Sequence, residues 1–314
     1  MNRQKIYPLL SPGDTVGLIT PASFITEEQL KQATENIKSL GLKPFFCDSI
    51  SDRKGYFAGS DKQRLKELHR MYAEKNVKAV ICVRGGYGTT RLLEKIDYNL
   101  IKKNPKPLIG YSDITALLNA VYLKTKLPAF HGTNAAGEFT DYTSENFVKM
   151  FFETSENIDT GIFADHKKDA FVINSGNACG KLTGGNLALI TSTLGTSFEI
   201  KTENKILFLE DIAEAPYKID RMLTQLISAG KFKKVKGVIF GKFSGCEAKD
   251  KDSSFSLREV ITERIKPLKI PGIYGFSFGH IKNRAVLPVG VNACFDAENF
   301  SIFIKRKEIN RFFC

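Results

Sequence analysis

Tryptophan is absent from the 314-residue chain, which excludes an indole platform for stacking a ligand ring and leaves such work to Tyr and Phe. No apolar run approaches the ~20 residues of a membrane span, and residues 1–14 hold no stretch of signal-peptide length. These two absences predict a cytoplasmic protein with no membrane partner. The six cysteines, at 47, 82, 179, 246, 294 and 314, include no C-x-x-C pair. Several sit in apolar runs such as Val80-Ile81-Cys82-Val83, which predicts reduced core thiols rather than metal ligands or bridges. The phosphate-loop pattern G-x-x-x-x-G-K-[ST] is missing, as are internal repeats and low-complexity tracts.

What remains describes a packed soluble body. Hydrophobic residues make up 42% and charged residues 25% of the chain, inside the ordinary globular range. Its length exceeds what a single core comfortably fills, so two domains are expected. The net charge of +12 attracts anions in general. Lys and Arg are nevertheless spread along the chain, with only short clusters at Lys231-Phe232-Lys233-Lys234 and Lys305-Arg306-Lys307. No nucleic-acid module surrounds them, so solvated faces and small anionic substrates are expected and a nucleic-acid partner is not.

The first half alternates strands and helices. Strands are expected at 14–20, 42–47, 77–83, 108–110 and 129–131. Between them lie helices opened by Thr26 with Gln29 and by Ser60 with Gln63, both spaced as capping boxes, and a helix over 114–123. Strand-helix alternation of this kind implies a parallel, doubly wound sheet over residues 1–155. The weakly patterned segment 156–175 reads as a linker. The domain 176–314 opens on a Gly-rich turn with a helix at 184–194 and strands at 205–209 and 238–241. A helix from Pro216 and short strands at 285–288, 291–295 and 300–304 complete a mixed α+β unit.

Chemistry concentrates at the ends of two buried strands. In Pro107-Leu108-Ile109-Gly110-Tyr111-Ser112-Asp113-Ile114-Thr115 a strand ends in Gly and passes at once into a helix, which puts Ser112 on a strand-to-helix elbow. A hydroxyl there stands at the carboxyl edge of the sheet beside helix N-terminal N–H groups, surroundings that suit a nucleophile and a developing oxyanion. The pattern is G-x-S-D rather than G-x-S-x-G, and a Ser followed by Asp also makes an ordinary helix cap. The cluster Arg84-Gly85-Gly86-Tyr87-Gly88 follows the strand ending at Val83, on the same sheet edge. Gly86 and the Asp113 amide are candidates for the two halves of an oxyanion hole. Arg84 and Gly85 are candidates for substrate binding, Arg84 as a carboxylate contact.

A serine hydroxyl needs a neighbouring base, and the chain has four histidines. His69 falls mid-helix among charged residues and His166 falls in the linker. His131 ends one strand and His280 follows Gly275-Phe276-Ser277-Phe278-Gly279, and from position alone these two compete. An orienting carboxylate is offered where Ile206-Leu207-Phe208-Leu209 runs into Glu210-Asp211, with Glu210 preferred and Asp211 its rival. The same acidic pair also suits capping ahead of Pro216 or an ion pair with Arg221.

Taken together, several segments resemble the LD-carboxypeptidase family of serine peptidases. They are Gly110-Tyr111-Ser112-Asp113, Arg84-Gly85-Gly86-Tyr87-Gly88, Leu209-Glu210-Asp211, Tyr217-Lys218-Ile219-Asp220-Arg221-Met222-Leu223 and Gly279-His280. The likeness runs from Gly13-Asp14 to the closing strands and includes Gly55-Tyr56-Phe57-Ala58-Gly59 and Gly184-Gly185-Asn186-Leu187. It implies a flavodoxin-like N-terminal domain, a smaller β-rich C-terminal domain, a homodimer, and no metal or organic cofactor. It also assigns Ser112 as nucleophile, Glu210 as orienting carboxylate and His280 as general base. The implied substrates are cytosolic murein tetrapeptides (muropeptides), cut before a terminal D-alanine during cell-wall recycling. A related branch cleaves a peptide-nucleotide antibiotic for self-immunity, and a non-catalytic two-lobed binding protein is a further alternative.

Overall fold

The computed structural model describes residues 9–161, 164–250 and 252–313, so the thiol expected at Cys314 lies outside the described residues. Five strands, β1 (Thr15–Ile19), β2 (Lys43–Phe45), β3 (Val77–Cys82), β4 (Leu108–Gly110) and β5 (Ala129–His131), pair in parallel in the order β2-β1-β3-β4-β5. This is the flavodoxin-like order, in which ligands gather at the carboxyl ends of the strands. The central strand β3 is buried at every position but Lys78, as its near-continuous apolar run requires. Thr26 and Gln29 form the full capping box of the helix Glu27–Ser39. Ser60 caps the helix Asp61–Ala73, but the Gln63 side chain turns away to donate to Ser49 and Asp52, leaving half a box.

The second sheet begins where a linker was expected. Within 156–175 lie β6 (Asn157–Gly161) and β7 (Phe171–Asn174), the two edges of an eight-stranded sheet. In β6, Ile158 and Thr160 are buried while their neighbours are exposed, a strict alternation hidden by its polar composition. Next come β8 (Asn177–Asn186), β9 (Lys205–Ile212), β10 (Gly237–Ser244) and β11 (Gly272–Gly279), which are mutually parallel. The strand β12 (Leu287–Val289) crosses back to pair antiparallel with β5 of the first sheet, and β13 (Asn292–Asp296) and β14 (Ser301–Lys305) complete the second. A core containing Val16, Ile81, Ile109, Phe208, Ile239 and Phe276 joins the two sheets.

Two further expectations need correction. Gly184 and Gly185 lie inside β8, not in a turn, and the helix that follows is only Leu187–Ser192. A Cβ at Gly184 would stand 1.9 Å from the Phe208 carbonyl oxygen, so glycine is there for a close approach between strands. Cys179 and Cys294, read as reduced thiols, are joined in a disulfide. They face each other across the antiparallel β8–β13 ladder with Cα atoms 4.1 Å apart, a pairing set by strand register over 115 residues and invisible to local spacing. Cys47, Cys82 and Cys246 are buried and free, as expected.

Candidate active site

Ser112 sits where β4 turns into the helix Ile114–Thr125, with φ of +67°. A non-glycine residue in the left-handed region is strained, and strain of this kind recurs where an elbow lifts a nucleophile out of the chain. Several bonds hold the elbow. Tyr111 N donates to Asn134 Oδ1 (3.1 Å), and Thr115 N donates to Ser112 O (2.9 Å). The helix behind it is tied to the second sheet, because Asn119 Nδ2 donates to Gly184 O (2.8 Å) and Thr115 Oγ1 accepts from Asn186 N (3.0 Å).

The Asp113 carboxylate does not cap its own helix. It accepts from Thr89 N at 2.8 Å while Thr89 Oγ1 donates to Asp113 O at 2.7 Å, locking the end of the 84–88 loop to the elbow. Burial raises the Asp113 carboxyl above the ordinary carboxylate range, with the Thr89 bonds opposing. Within that loop, a Cβ on Gly85 would lie 2.8 Å from Ser112 Cβ and 3.0 Å from its Oγ, so the loop backbone passes directly against the candidate nucleophile. Gly86 has φ of +105°, and a Cβ there would strike Ser23 Oγ at 2.2 Å. The fully buried Arg64 anchors the same end through Nη1 to Pro21 O (2.6 Å) and Gly88 O (3.1 Å). Arg84 is half-buried and donates through Nη1 to Phe24 O (3.0 Å).

From the second sheet come an imidazole and a carboxylate. Glu210, on β9, is fully buried, and His280 follows the end of β11. His280 Nδ1 lies 2.7 Å from Glu210 Oε2 and Nε2 lies 3.0 Å from Ser112 Oγ. Ser244 Oγ donates to the His280 carbonyl (2.7 Å) and fixes its backbone. Residues 112, 210 and 280, far apart in sequence, thus form one continuous hydrogen-bonded line. Such a line can take a proton from the hydroxyl and stabilise the imidazolium that results.

The competing residues have other partners. The Asp211 carboxylate accepts from Asn186 Nδ2 (3.0 Å), Ala188 N (2.9 Å) and Ile212 N (2.8 Å), which holds the start of the helix Leu187–Ser192. Its pKa is pushed up to about 6, chiefly by burial, with the adjacent Glu210 charge adding to the rise. His131 does not line a pocket: it is buried in an aromatic box with Tyr111, Phe208 and Phe278, and burial pushes its pKa down to about 4. His69 accepts from Asp97 N (2.9 Å), and His166 Nδ1 meets Ser277 Oγ (2.8 Å). Arg221 lies over the Tyr217 ring.

Sequence reasoning missed Arg284 and the role of Tyr111. Arg284 donates through Nη1 to the Tyr111 hydroxyl (2.9 Å), and the Tyr111 ring meets His280 edge-on at 5.0 Å. Tyr111 lies within the quoted serine motif, whereas nothing local to Arg284 announces a contact 173 residues away. Among the described residues, no cluster of three or more His, Cys, Asp or Glu side chains could hold a metal, and no helix is long and apolar enough to cross a membrane.

Comparison with known proteins decides the family. The LD-carboxypeptidase N-terminal domain model matches residues 16–132, and the C-terminal domain model matches residues 179–295. The chain belongs to the LD-carboxypeptidase family. It is therefore a peptidase of two-domain LD-carboxypeptidase architecture. It is 39% identical to the probable murein peptide carboxypeptidase of Bacillus subtilis over 90% of this chain and 89% of the relative. The crystal structure of muramoyltetrapeptide carboxypeptidase from Oxalobacter formigenes superposes with a TM-score of 0.81 at 30% identity, covering 92% of this chain and 97% of that one. The structure of MccF in complex with glutamyl sulfamoyl guanosine gives a TM-score of 0.86 at 26% identity, over 96% and 98% of the two chains. Both domain matches fall on the candidate site, since the first spans Ser112 and the second spans Glu210 and His280.

Proposed function

We propose that the protein is a serine carboxypeptidase that hydrolyses the L,D-peptide bond before a terminal D-alanine in murein tetrapeptides, using Ser112, His280 and Glu210. The observation that carries this reading is His280 bridging Ser112 Oγ at 3.0 Å and Glu210 Oε2 at 2.7 Å on a strained elbow. The names of the Bacillus and Oxalobacter relatives support the substrate class. In the proposed reaction His280 Nε2 takes the Ser112 proton as Oγ attacks the scissile carbonyl. Glu210 holds the imidazole in the tautomer with its proton on Nδ1 and stabilises the imidazolium. The amides of Gly86 and Asp113 receive the oxyanion, and His280 returns the proton to the leaving D-alanine amine. Water then releases the acyl group by the same base.

Gly85 passes against Ser112, and Arg84, its neighbour on the loop, is assigned to the substrate's terminal carboxylate, its guanidinium N–H groups beyond the one held by Phe24 O serving as donors. The reading also carries a cytoplasmic location, a homodimer, and a division near residue 155 between a first domain and a second that takes in β6 and β7. Light scattering tests the dimer and limited proteolysis tests the division. The experiment for the activity is mass-spectrometric detection of D-alanine release from a defined murein tetrapeptide. Wild-type protein is expected to release it, and Ser112→Ala to release none while keeping its fold. Turnover by Ser112→Ala would remove Ser112 from the mechanism, and tight binding without turnover by the wild type would favour a non-catalytic binding protein.

A second reading keeps the triad and changes the substrate to a peptide-nucleotide antibiotic, supported by the likeness to the microcin C7 self-immunity protein MccF of Escherichia coli. Parallel assays on a murein tetrapeptide and an aminoacyl sulfamoyl nucleoside separate the two.

A further inference from the structure

The buried polar atoms in or beside the triad with no hydrogen-bond partner among the described residues include both ring nitrogens of His131, Oε1 of Glu210, Oδ1 of Asp113, Nε of Arg284 and Oγ1 of Thr133. Folded proteins rarely leave buried polar atoms unpaired, and a carboxylate oxygen is among the costliest to strand. The arrangement of the strands shows how His131 and Glu210 relate. Phe208 and Glu210 are two residues apart on β9, so their side chains emerge on one face of the sheet roughly 7 Å apart. The His131 ring meets Phe208 at 5.5 Å and Phe278 at 5.9 Å, both edge-on. It therefore lies against the face of β9 that also carries Glu210, within electrostatic reach of that carboxylate. Tyr111 closes the remaining side, 6.2 Å from His131 and 5.0 Å from His280.

A neutral imidazole offers one N–H and one lone pair, and a buried water needs two or more polar partners. We propose that His131 is a positioning residue for the triad, its ring N–H satisfying Glu210 Oε1 through one buried water and so fixing the carboxylate that orients His280. This inference rests on the reading of Ser112, His280 and Glu210 as a triad. The charged groups that face His131 are Glu210, which favours its protonation, and His280 and Arg284, which oppose it. Burial outweighs all three and keeps His131 neutral near pH 7. A neutral donor holds the carboxylate in place without competing for the charge that stabilises the His280 imidazolium.

The test uses the full chain with His131→Phe, which fills the aromatic box without a polar atom, and His131→Gln, which keeps a donor. The first readout is the low-field proton resonance of His280 Nδ1–H in the resting protein. The second is the separate measurement of kcat and KM on a murein tetrapeptide, and the third is the thermal midpoint. In His131→Phe the resonance should move upfield or vanish and kcat should fall about 10- to 100-fold with KM unchanged, the usual cost of losing an outer partner of a site ligand. The thermal midpoint should hold, since the donor lost to Glu210 Oε1 is offset by removal of the second ring nitrogen, which has no partner among the described residues. His131→Gln should recover the resonance and most of kcat.

The inference is overturned if His131→Phe keeps both resonance and kcat, if His131→Gln is no better than His131→Phe, or if kcat and thermal midpoint fall together in both variants. A wild type with no low-field resonance at any pH also overturns it. A wild type that releases no D-alanine would fail the peptidase reading instead, and the resonance comparison would still decide the role of His131.

Discussion

Adding one methyl group at Gly85 tests the proposed site without removing any group that takes part in the chemistry. The Gly85 backbone is not left-handed, so alanine brings no φ penalty and its effect is purely steric. The new Cβ would stand 2.8 Å from Ser112 Cβ and 3.0 Å from Oγ, whereas ordinary contact begins at 3.4 Å. Relieving the closer contact requires a displacement of at least 0.6 Å, from 3.4 minus 2.8. Neither side gives easily, because Asp113 and Thr89 clamp the loop to the elbow through two bonds of 2.8 and 2.7 Å. A catalytic constellation tolerates roughly 0.5 Å of error, and misplacement by about 1 Å can cost about 100-fold.

Gly85→Ala is therefore expected to lower kcat for D-alanine release about 100-fold, equivalent to about 2.7 kcal/mol of transition-state stabilisation. Overpacking should also cost about 1–3 kcal/mol of stability, which denaturant titration measures independently. The rate at which a fluorophosphonate acylates Ser112 should fall in parallel, because it reports the same geometry without the peptide. Wild-type kcat and acylation rate in a folded Gly85→Ala protein would refute the argument that the 84–88 loop is packed against a working nucleophile.

Glu210→Gln keeps the shape of the buried side chain but removes its charge, so His280 loses both its tautomer and its counter-ion. On the precedent of serine triads, kcat for D-alanine release should fall about 10⁴-fold with little change in KM, and a loss below tenfold would exclude Glu210 as the orienting group. Two other buried groups make stability depend on pH in opposite senses. Asp211 has its pKa raised to about 6, so between about pH 4 and 6 the folded state keeps a proton that the unfolded state has lost, and its contribution to stability falls as pH rises. His131 has its pKa lowered to about 4, so as pH falls from about 6.5 to 4 the unfolded state gains a proton that the folded state refuses, and stability falls with pH. Urea unfolding at pH 4, 5, 6 and 7 should show Asp211→Asn losing stability more steeply than wild type on acidification and His131→Phe losing it less steeply; the reverse order would show that these two groups do not govern the acid side of the stability curve.

The parts of the fold legible in the sequence were those set by local chemistry. The strands Leu108–Gly110 and Ala129–His131 and the Thr26–Gln29 capping box follow from runs of apolar residues and from side chains that satisfy free N–H groups within one turn. The elbow at Ser112 was readable for the same reason, since a glycine-ended strand running straight into a helix has few ways to turn. What local chemistry left open was settled by pairing across distance. The segment 156–175 looked featureless because β6 and β7 are edge strands whose buried residues are few, and only the sheet that receives them makes them strands. The Cys179–Cys294 bond and the in-strand glycines at 184 and 185 likewise depend on which strand lies next door.

The site divides along the same line. Position in the chain left His131 and His280 even, and left Glu210 and Asp211 as rivals, because each pair lies at the carboxyl end of a buried strand. What separates them is the direction imposed by the second sheet. Adjacent residues on β9 face opposite sides, so Glu210 points to His280 while Asp211 points to the helix Leu187–Ser192 and spends its carboxylate there. On the first sheet, His131 pairs in register with Gly110, one residue before the elbow begins, and so lies beneath the serine rather than beside it. The hydroxyl belongs to the first sheet and its two partners to the second, yet Asn119 and Thr115 bind the nucleophile's helix to β8, the neighbour of the strand that carries Glu210. The distance from Ser112 to His280 thus depends on the bonds that join the sheets, and Gly184 and Asn186, on the strand beside Glu210, help hold the Ser112–His280–Glu210 line in place.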